Sequence, residues 1–227
     1  MQGSTKDHGE MISRAMEDYL KAIYQFASDK DKVSTSNLAQ QMNCSPASVT
    51  NMLQKLSELK LVEYEPYQGV TLTPAGSKIA LETLRHHRLI ERYLADVLGY
   101  SWDKVHEEAE QLEHVISEEF EEKIDRALGH PNFDPHGDPI PSKEGEIAVP
   151  PSLSLWEIPV GEKVHVYRVS DRDPEVLRYL DTIGILPDVE IKVLKKGPFN
   201  GPIHVKINDS EHSLSEELAT QIFVVSK

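Results

Sequence analysis

The sequence is poor in cysteine, because its 227 residues include only Cys44. A single cysteine excludes an internal disulfide and a zinc site built from several thiolates. Cys44 also has no histidine or second cysteine close to it in the sequence, which argues against a catalytic or redox thiol. We interpret it as a small packed residue near a turn.

Long apolar runs are absent as well. No unbroken apolar stretch approaches the roughly 18–20 residues that cross a bilayer. The first ten residues, MQGSTKDHGE, lack the charged-then-apolar pattern of a secretory signal. With the cysteine count, these features predict a cytoplasmic protein that has no membrane partner.

Positive charge is scarce, since 24 Lys and Arg against 38 Asp and Glu give a net charge of −14. The acidic excess is uneven: residues 1–80 carry a net charge of −1, residues 81–130 carry −7, and residues 131–227 carry −6. An acidic surface repels phosphate, and bound metal cations would partly neutralise it. The nearly neutral first region therefore permits DNA binding without arguing for it.

Hydrophobic periodicity predicts three helices early in the chain. The first runs from about Ser13 to Ala27 and the second follows Ser34. The third begins at Ser45-Pro46, where serine caps free amides and proline is tolerated in the first turn. Short alternating runs at 61–64 and 70–72 flank a turn-like Pro-Tyr-Gln-Gly sequence and predict a hairpin. This order is typical of a winged helix-turn-helix.

In such a unit the second helix of the pair enters the major groove of double-stranded DNA. Here that helix presents small polar side chains and no arginine, which favours readout through DNA shape and phosphate contacts. The alternative is a small three-helix core with a solvated polar face. The predicted DNA-contacting residues are Ser45, Pro46, Ser48, Thr50, Asn51 and Lys55 of the helix, with Tyr67 and Gln68 of the hairpin turn.

The rest of the chain divides into helical, proline-rich and strand-rich parts. Thr73-Pro74 begins a helix that extends to about 98–99, and residues 103–128 form a further, acidic helix. Seven prolines between residues 131 and 159 indicate a tether or an extended crossover. Strands at about 163–169, 189–194, 203–207 and 222–225, with a helix at about 174–183, predict a small β-barrel.

A stripe of metal-ligand residue types lies on the acidic helix. His106, Glu110, Glu113 and His114 share one helical face, and His87 and Glu91 are spaced by one turn on the preceding helix. Such a stripe is expensive to pack unless a cation or arginine relieves it. Without thiolate, nitrogen and oxygen donors suit Mn(II), Fe(II) or Co(II) better than structural zinc. The alternative is a solvated acidic face with incidental histidines.

Four segments together resemble the diphtheria toxin repressor family, which includes iron-dependent and manganese-dependent regulators. They are Met16–Tyr24, Arg85–Arg92, Val105–His114 and Pro135–Pro141, and the resemblance covers the chain after residue 12. It implies a homodimeric repressor that binds a palindromic DNA operator. The implied fold is mainly α with small β: a winged helix-turn-helix at 1–75, a helical metal-binding and dimerisation domain at 76–130, a proline-rich linker at 131–158, and an SH3-like (FeoA-like) barrel at 159–227.

The resemblance also implies two metal sites. Asp18, Glu110, Glu113 and His114 would form the first, and His87, Glu91 and His106 the second. Acidic groups of the barrel, Asp171 and Asp173, are the expected additional donors, with His136 as a further candidate.

Two positions bear on the choice of metal. Iron-type members of the family carry methionine and cysteine where this chain has Asp18 and Glu110. Because carboxylates are harder donors than sulfur, we expect Mn(II), with Fe(II) as the alternative and Zn(II), Co(II) or Cd(II) as substitutes. Lys21 replaces a glutamate of some manganese-type members, which favours two separated sites over a paired dinuclear one.

Three other classes compete with this interpretation. A metalloenzyme would need a nucleophile or phosphate-loop motif and an open cleft, and the sequence offers none, so we expect no enzyme and no small organic substrate. A winged-helix sensor of an organic ligand would bind its operator without metal. A metal-storage protein would not need the hairpin after a Ser-Pro-capped helix.

Overall fold

The first unit of the structure is a three-helix bundle followed by a hairpin. A computed structural model describes residues 12–27, 32–199 and 201–226, and the chain divides into two units at Leu84/Arg85. The elements of the first unit are α1 (Arg14–Phe26), α2 (Thr35–Gln41), α3 (Pro46–Glu58), β1 (Val62–Glu65) and β2 (Gly69–Leu72). No helix among the described residues is long and apolar enough to cross a membrane.

Serine caps fix the starts of α2 and α3. The Ser34 hydroxyl accepts a hydrogen bond from the amide of Asn37, and the Ser45 hydroxyl accepts one from the amide of Ser48. β1 and β2 pair antiparallel, and Val33 adds an isolated bridge to Val70 on the other side of β2. The predicted winged helix-turn-helix order is confirmed.

Three helices carry most of the polar interior of the second unit. They are α4 (Pro74–Asp96), which begins in the first unit, α5 (Val105–Leu112) and α6 (Glu118–Ala127). The single helix expected over 103–128 is therefore wrong. A new N-cap interrupts it, because the Ser117 hydroxyl accepts a hydrogen bond from the amide of Phe120. α4 also ends earlier than expected, at Asp96.

The first part of the proline-rich segment is packed rather than tethered. Arg88 donates a hydrogen bond from Nη1 to the Pro139 carbonyl, and Arg85 donates one to the Pro141 carbonyl at 2.7 Å. A Cβ on Gly137 would lie 2.1 Å from the Tyr167 carbonyl oxygen, so backbone passes close to backbone there. The expectation of a tether is wrong for these residues, because buried arginines need the carbonyl acceptors that a proline-rich segment leaves free.

The C-terminal part is built mainly from strands. Its elements are β3 (Leu153–Ser154), a 3-10 turn (Leu155–Glu157), β4 (Lys163–Val169), α7 (Pro174–Thr182), β5 (Glu190–Lys196), β6 (Ile203–Ile207), β7 (Ser210–Leu214), α8 (Glu216–Ala219) and β8 (Ile222–Val225). The six strands form one sheet in the order β3-β8-β4-β5-β6-β7 and all pair antiparallel. The sheet encloses an apolar core of Leu, Ile, Val and Ala, and the SH3-like fold class is confirmed. Sequence patterns missed β3, β7 and the short α8.

Candidate metal centre

His87 and Glu91 lie one turn apart on the buried face of α4. His87 Nε2 is 3.1 Å from Glu91 Oε1, and both side chains are buried. The neighbouring Leu89 and Ile90 belong to apolar clusters, so the helix places a polar pair inside an otherwise hydrophobic surface. Such a pair needs further polar partners to offset its desolvation.

His106 of α5 and Asp171 of the β4–α7 loop complete this group. His106 Nδ1 is 3.3 Å from Glu91 Oε1 and 3.5 Å from Asp171 Oδ2. One donor atom from each of His87, Glu91, His106 and Asp171 lies within 4.8 Å of the others. The structure thus brings together the three residues of the second predicted site with one of the two barrel carboxylates.

Glu113 and Glu110 approach the same group from α5. Glu113 Oε2 is 2.5 Å from His87 Nδ1, and Glu113 is buried. Glu110 is more exposed, with one carboxylate oxygen 3.8 Å from His87 Nδ1 and from His106 Nε2. His114 Nε2 lies 3.2 Å from the other Glu113 oxygen. The helical stripe therefore points toward α4, as its spacing predicts.

A further donor set contains one residue that the sequence argument missed. Glu91, Asp134 and His136 are all buried, and their ligand atoms lie within 4.8 Å of one another. His136 is oriented by a 2.7 Å hydrogen bond between its Nε2 and the Trp102 carbonyl. Because the sequence predicts a tether for the proline-rich segment, Asp134 is not among the predicted ligands. The one sequence feature that indicates it is its position two residues before the candidate ligand His136.

Burial, neighbouring charges and hydrogen bonds shift the pKa values of these groups. Burial alone would raise the pKa of Glu91, but the charges and hydrogen bonds of His87 and His106 lower that pKa well below its usual value. Burial, followed by the charge of Glu91, raises the pKa of Asp134 well above its usual value. Burial opposes protonation of His106, yet the hydrogen bond to Glu91 raises its pKa.

The donor set fits a divalent cation. Among the described residues, the buried Glu91 Oε2 and His136 Nδ1 have no hydrogen-bond partner, and such atoms are rare unless something else occupies them. The converging groups supply imidazole nitrogen and carboxylate oxygen without sulfur, which suits Mn(II) or Fe(II).

The remaining predicted ligands are Asp173 and Asp18. Asp173 caps α7, where its carboxylate accepts a hydrogen bond from the amide of Glu175, and the structure does not bring it into the donor group of Asp171. Asp18 is half-buried on α1 in the first unit. Its predicted role beside Glu110, Glu113 and His114 stays a prediction.

The predicted DNA-contacting side chains are largely exposed. On α3, Ser45, Pro46, Ser48, Asn51 and Lys55 are exposed, and Thr50 is half-buried. Tyr67 and Gln68 are exposed at the hairpin turn, and Tyr67 has an exposed fraction of 105% with φ of 68°. An exposed aromatic tip on a winged helix is available for a ligand rather than for the core.

Three family models match successive parts of the chain. The N-terminal DNA binding domain of iron dependent repressors matches residues 11–70, and their metal binding and dimerisation domain matches residues 73–142. A FeoA domain matches residues 153–226.

Individual proteins resemble the chain as well. An uncharacterised HTH-type transcriptional regulator of Methanocaldococcus jannaschii is 40% identical over 114 residues, which are 50% of this chain and 91% of that protein. The diphtheria toxin repressor of Corynebacterium glutamicum is 28% identical over 219 residues, covering 92% of this chain and 94% of the repressor. A solved structure of a manganese-dependent transcriptional repressor in complex with manganese has a TM-score of 0.87 and 42% identity, covering 93% of this chain and all of that one. Since these likenesses span the DNA-binding part, the helical part and the barrel, the chain belongs to the iron-dependent repressor family of metal-dependent transcriptional repressors.

Proposed function

We propose that this protein represses transcription when Mn(II) binds to the buried donor group beside α4. The observation that carries the proposal is the convergence of imidazole and carboxylate atoms on Glu91, whose second oxygen has no hydrogen-bond partner among the described residues. Manganese favours such nitrogen and oxygen donors over sulfur. The similarity to a manganese-dependent repressor supports the same metal.

Three side chains would hold the ion directly: His87, Glu91 and His106. Asp171 and His136 are further ligands in this proposal, and Asp134 contributes the additional carboxylate that sequence reasoning missed. A bound divalent cation supplies positive charge that offsets the mutual repulsion of these buried carboxylates. The chain's own hydrogen bond from His136 to the Trp102 carbonyl holds one imidazole in position.

Iron(II) is the second candidate metal. The matched family models are those of iron dependent repressors, and imidazole with carboxylate is also a good set for Fe(II). The absence of any sulfur donor among the converging described residues favours manganese. Zn(II), Co(II) and Cd(II) would substitute at the same atoms.

The proposed partner is double-stranded DNA with a palindromic operator, bound by a homodimer. A two-fold dimer presents two copies of α3 to two half-sites about one helical turn apart. The match to a dimerisation domain supports the dimer, and so do exposed apolar side chains in the helical part of the second unit. These are Val97, Leu98, Tyr100, Leu112, Val115 and Phe120.

A second metal position would couple metal to DNA binding. In this proposal Asp18 shares an ion with Glu110, Glu113 and His114, so metal selects one arrangement of the DNA-binding unit. Linkage then requires DNA to tighten metal binding by the same factor. Glu113→Gln is expected to weaken metal-dependent DNA binding while the fold persists. Unchanged metal dependence in a gel-shift titration of that variant would remove the second position from the proposal.

The whole proposal is tested by selecting duplexes from a random palindromic library with Mn(II) present. Binding of the selected duplex is then titrated with Mn(II) and, anaerobically, with Fe(II), each with a chelator control. The proposal expects tight binding with Mn(II) that chelation abolishes. An equal or better response to Fe(II) would overturn the metal assignment. DNA affinity that is the same with and without the chelator would indicate a sensor of an organic ligand instead.

A further inference from the structure

The outer face of the barrel carries a row of lysines in a chain of net charge −14. Lys163 of β4 pairs in register with Lys192 of β5, and Lys192 pairs with Lys206 of β6. Lys195 lies on the same outward side of β5, opposite His204. The alternate residues of these strands, such as Ile191 and Val205, are fully buried, so the lysines face away from the core.

This arrangement is unfavourable without an anionic partner, because like charges directly opposite one another on a sheet destabilise it. Lys163 is neutralised by Glu190 at 2.7 Å. Glu211 of β7 lies opposite Lys206 in register, but within the part of the chain that the structure describes Lys192, Lys195 and Lys206 take part in no ion pair. The face therefore carries an excess of positive charge, because Lys163, Lys192, Lys195 and Lys206 outnumber its two acids, Glu190 and Glu211.

The elements predicted to read DNA, in contrast, carry few cations. From Ser45 to Leu72, α3 and the hairpin carry only Lys55 and Lys60 as cations, against Glu58, Glu63 and Glu65. Most of the affinity of proteins for DNA comes from neutralising phosphates, and each contact releases counterions. A reading unit this poor in cations needs phosphate contacts from elsewhere in the protein.

We propose that the lysine face of the barrel, formed by Lys192, Lys195 and Lys206, binds the phosphate backbone of double-stranded DNA. This inference rests on the proposed function, because it assumes that the chain binds a DNA operator. The contact is electrostatic and independent of sequence, so it adds affinity without changing the operator. We favour a DNA duplex over an acidic protein as the partner. Lysines of the barrel that bind phosphates would supply the contacts for which α3 and the hairpin have too few cations.

The test compares salt dependence for the full-length protein and two double variants. Lys192→Gln/Lys206→Gln removes two lysines from the face. Lys123→Gln/Lys143→Gln removes the same charge from exposed positions near α6, where each lysine already pairs with a glutamate. Affinity is measured by fluorescence anisotropy on a duplex that extends several turns beyond the selected operator, with Mn(II) and with chelator.

Losing two phosphate contacts should make the slope of log K against log salt shallower by about 1.8, so that the variant loses roughly tenfold less affinity than the wild type between about 50 mM and 200 mM salt. The matched variant should keep the wild-type slope. Equal slopes for the wild type and the lysine-face variant would overturn the proposal, and so would an equal loss in both variants. A changed dimer dissociation constant with unchanged DNA affinity would overturn it in favour of a protein contact. The proposed function fails separately, if the wild type shows no difference between Mn(II) and chelator.

Discussion

The interior of the barrel and the interior beside α4 lie in the same unit but differ in composition. The barrel core consists of aliphatic side chains such as Ile191, Val205 and Leu214, all fully buried. Beside α4, the buried side chains include Glu91 and His136. Apolar burial stabilises by itself at roughly 25 cal/mol per Å², whereas buried charge needs compensation. The barrel core is therefore stable without a ligand, whereas the charged interior beside α4 is suited to bind a cation.

The largest expected effect is a loss of stability on substitution in the barrel core. Ile191→Ala removes three buried carbons from the apolar core and should lower the free energy of unfolding by about 2–5 kcal/mol. The loss should be the same with Mn(II) and with chelator, because no metal donor lies in that core. Thermal unfolding of the variant under both conditions measures it. A loss that depends on metal would show that the two interiors are not independent.

Metal addition tests the polar half. Mn(II) at a hundred times its dissociation constant should stabilise the protein by about 2.7 kcal/mol, because it binds only the folded form. Hydrogen exchange should locate the gain in amides of α4 and α5 rather than in β5 and β6. Protection that rises equally in the barrel strands would contradict this division.

The matched control for that measurement is Glu91→Gln. This variant keeps the size of the side chain but removes the carboxylate on which both donor sets converge. Its melting temperature should rise far less with Mn(II) than that of the wild type. A full wild-type rise would mean that the ion binds elsewhere.

A smaller effect is expected where the proline-rich segment meets β4. Gly137→Ala would push a Cβ to 2.1 Å from the Tyr167 carbonyl at φ of +93°, and overpacking of this kind destabilises by about 1–3 kcal/mol. Gly129→Ala is the comparison variant, since Gly129 has φ of +73° but no atom within 4 Å of the added Cβ. Denaturant unfolding should show the larger loss for Gly137→Ala. Equal losses would show that backbone conformation, rather than the close approach, sets the requirement for glycine.

The smallest expected effect concerns the N-cap of α3 in the first unit. Ser45→Ala removes the acceptor for the Ser48 amide and should destabilise the helix by about 1 kcal/mol. DNA binding should weaken, while the Mn(II)-induced rise in melting temperature stays unchanged. A reduced rise would link this cap to the metal donors.

The two interiors also differ in how far the sequence predicts them. Alternation of apolar residues located four barrel strands, and the Ser-Pro cap located α3, because these signals are local. The spacing of His106 and Glu110 on α5, and of His87 and Glu91 on α4, identified most of the donor group. Asp134 could not be found from helical spacing, because it lies in the proline-rich segment and its charge partner, Arg88 of α4, lies far earlier in the chain. Asp173 carries the same chemistry as Asp171, and only the start of α7 decides that it serves as a cap.

The central claim is that the polar interior beside α4 is a metal site, and anomalous diffraction tests it most directly. Crystals grown with Mn(II) would be measured on both sides of the manganese absorption edge. The account predicts an anomalous peak among His87, Glu91 and His106, and a loss of that peak in crystals of Glu91→Gln. Manganese peaks found only away from these three residues in the wild-type crystals would contradict it.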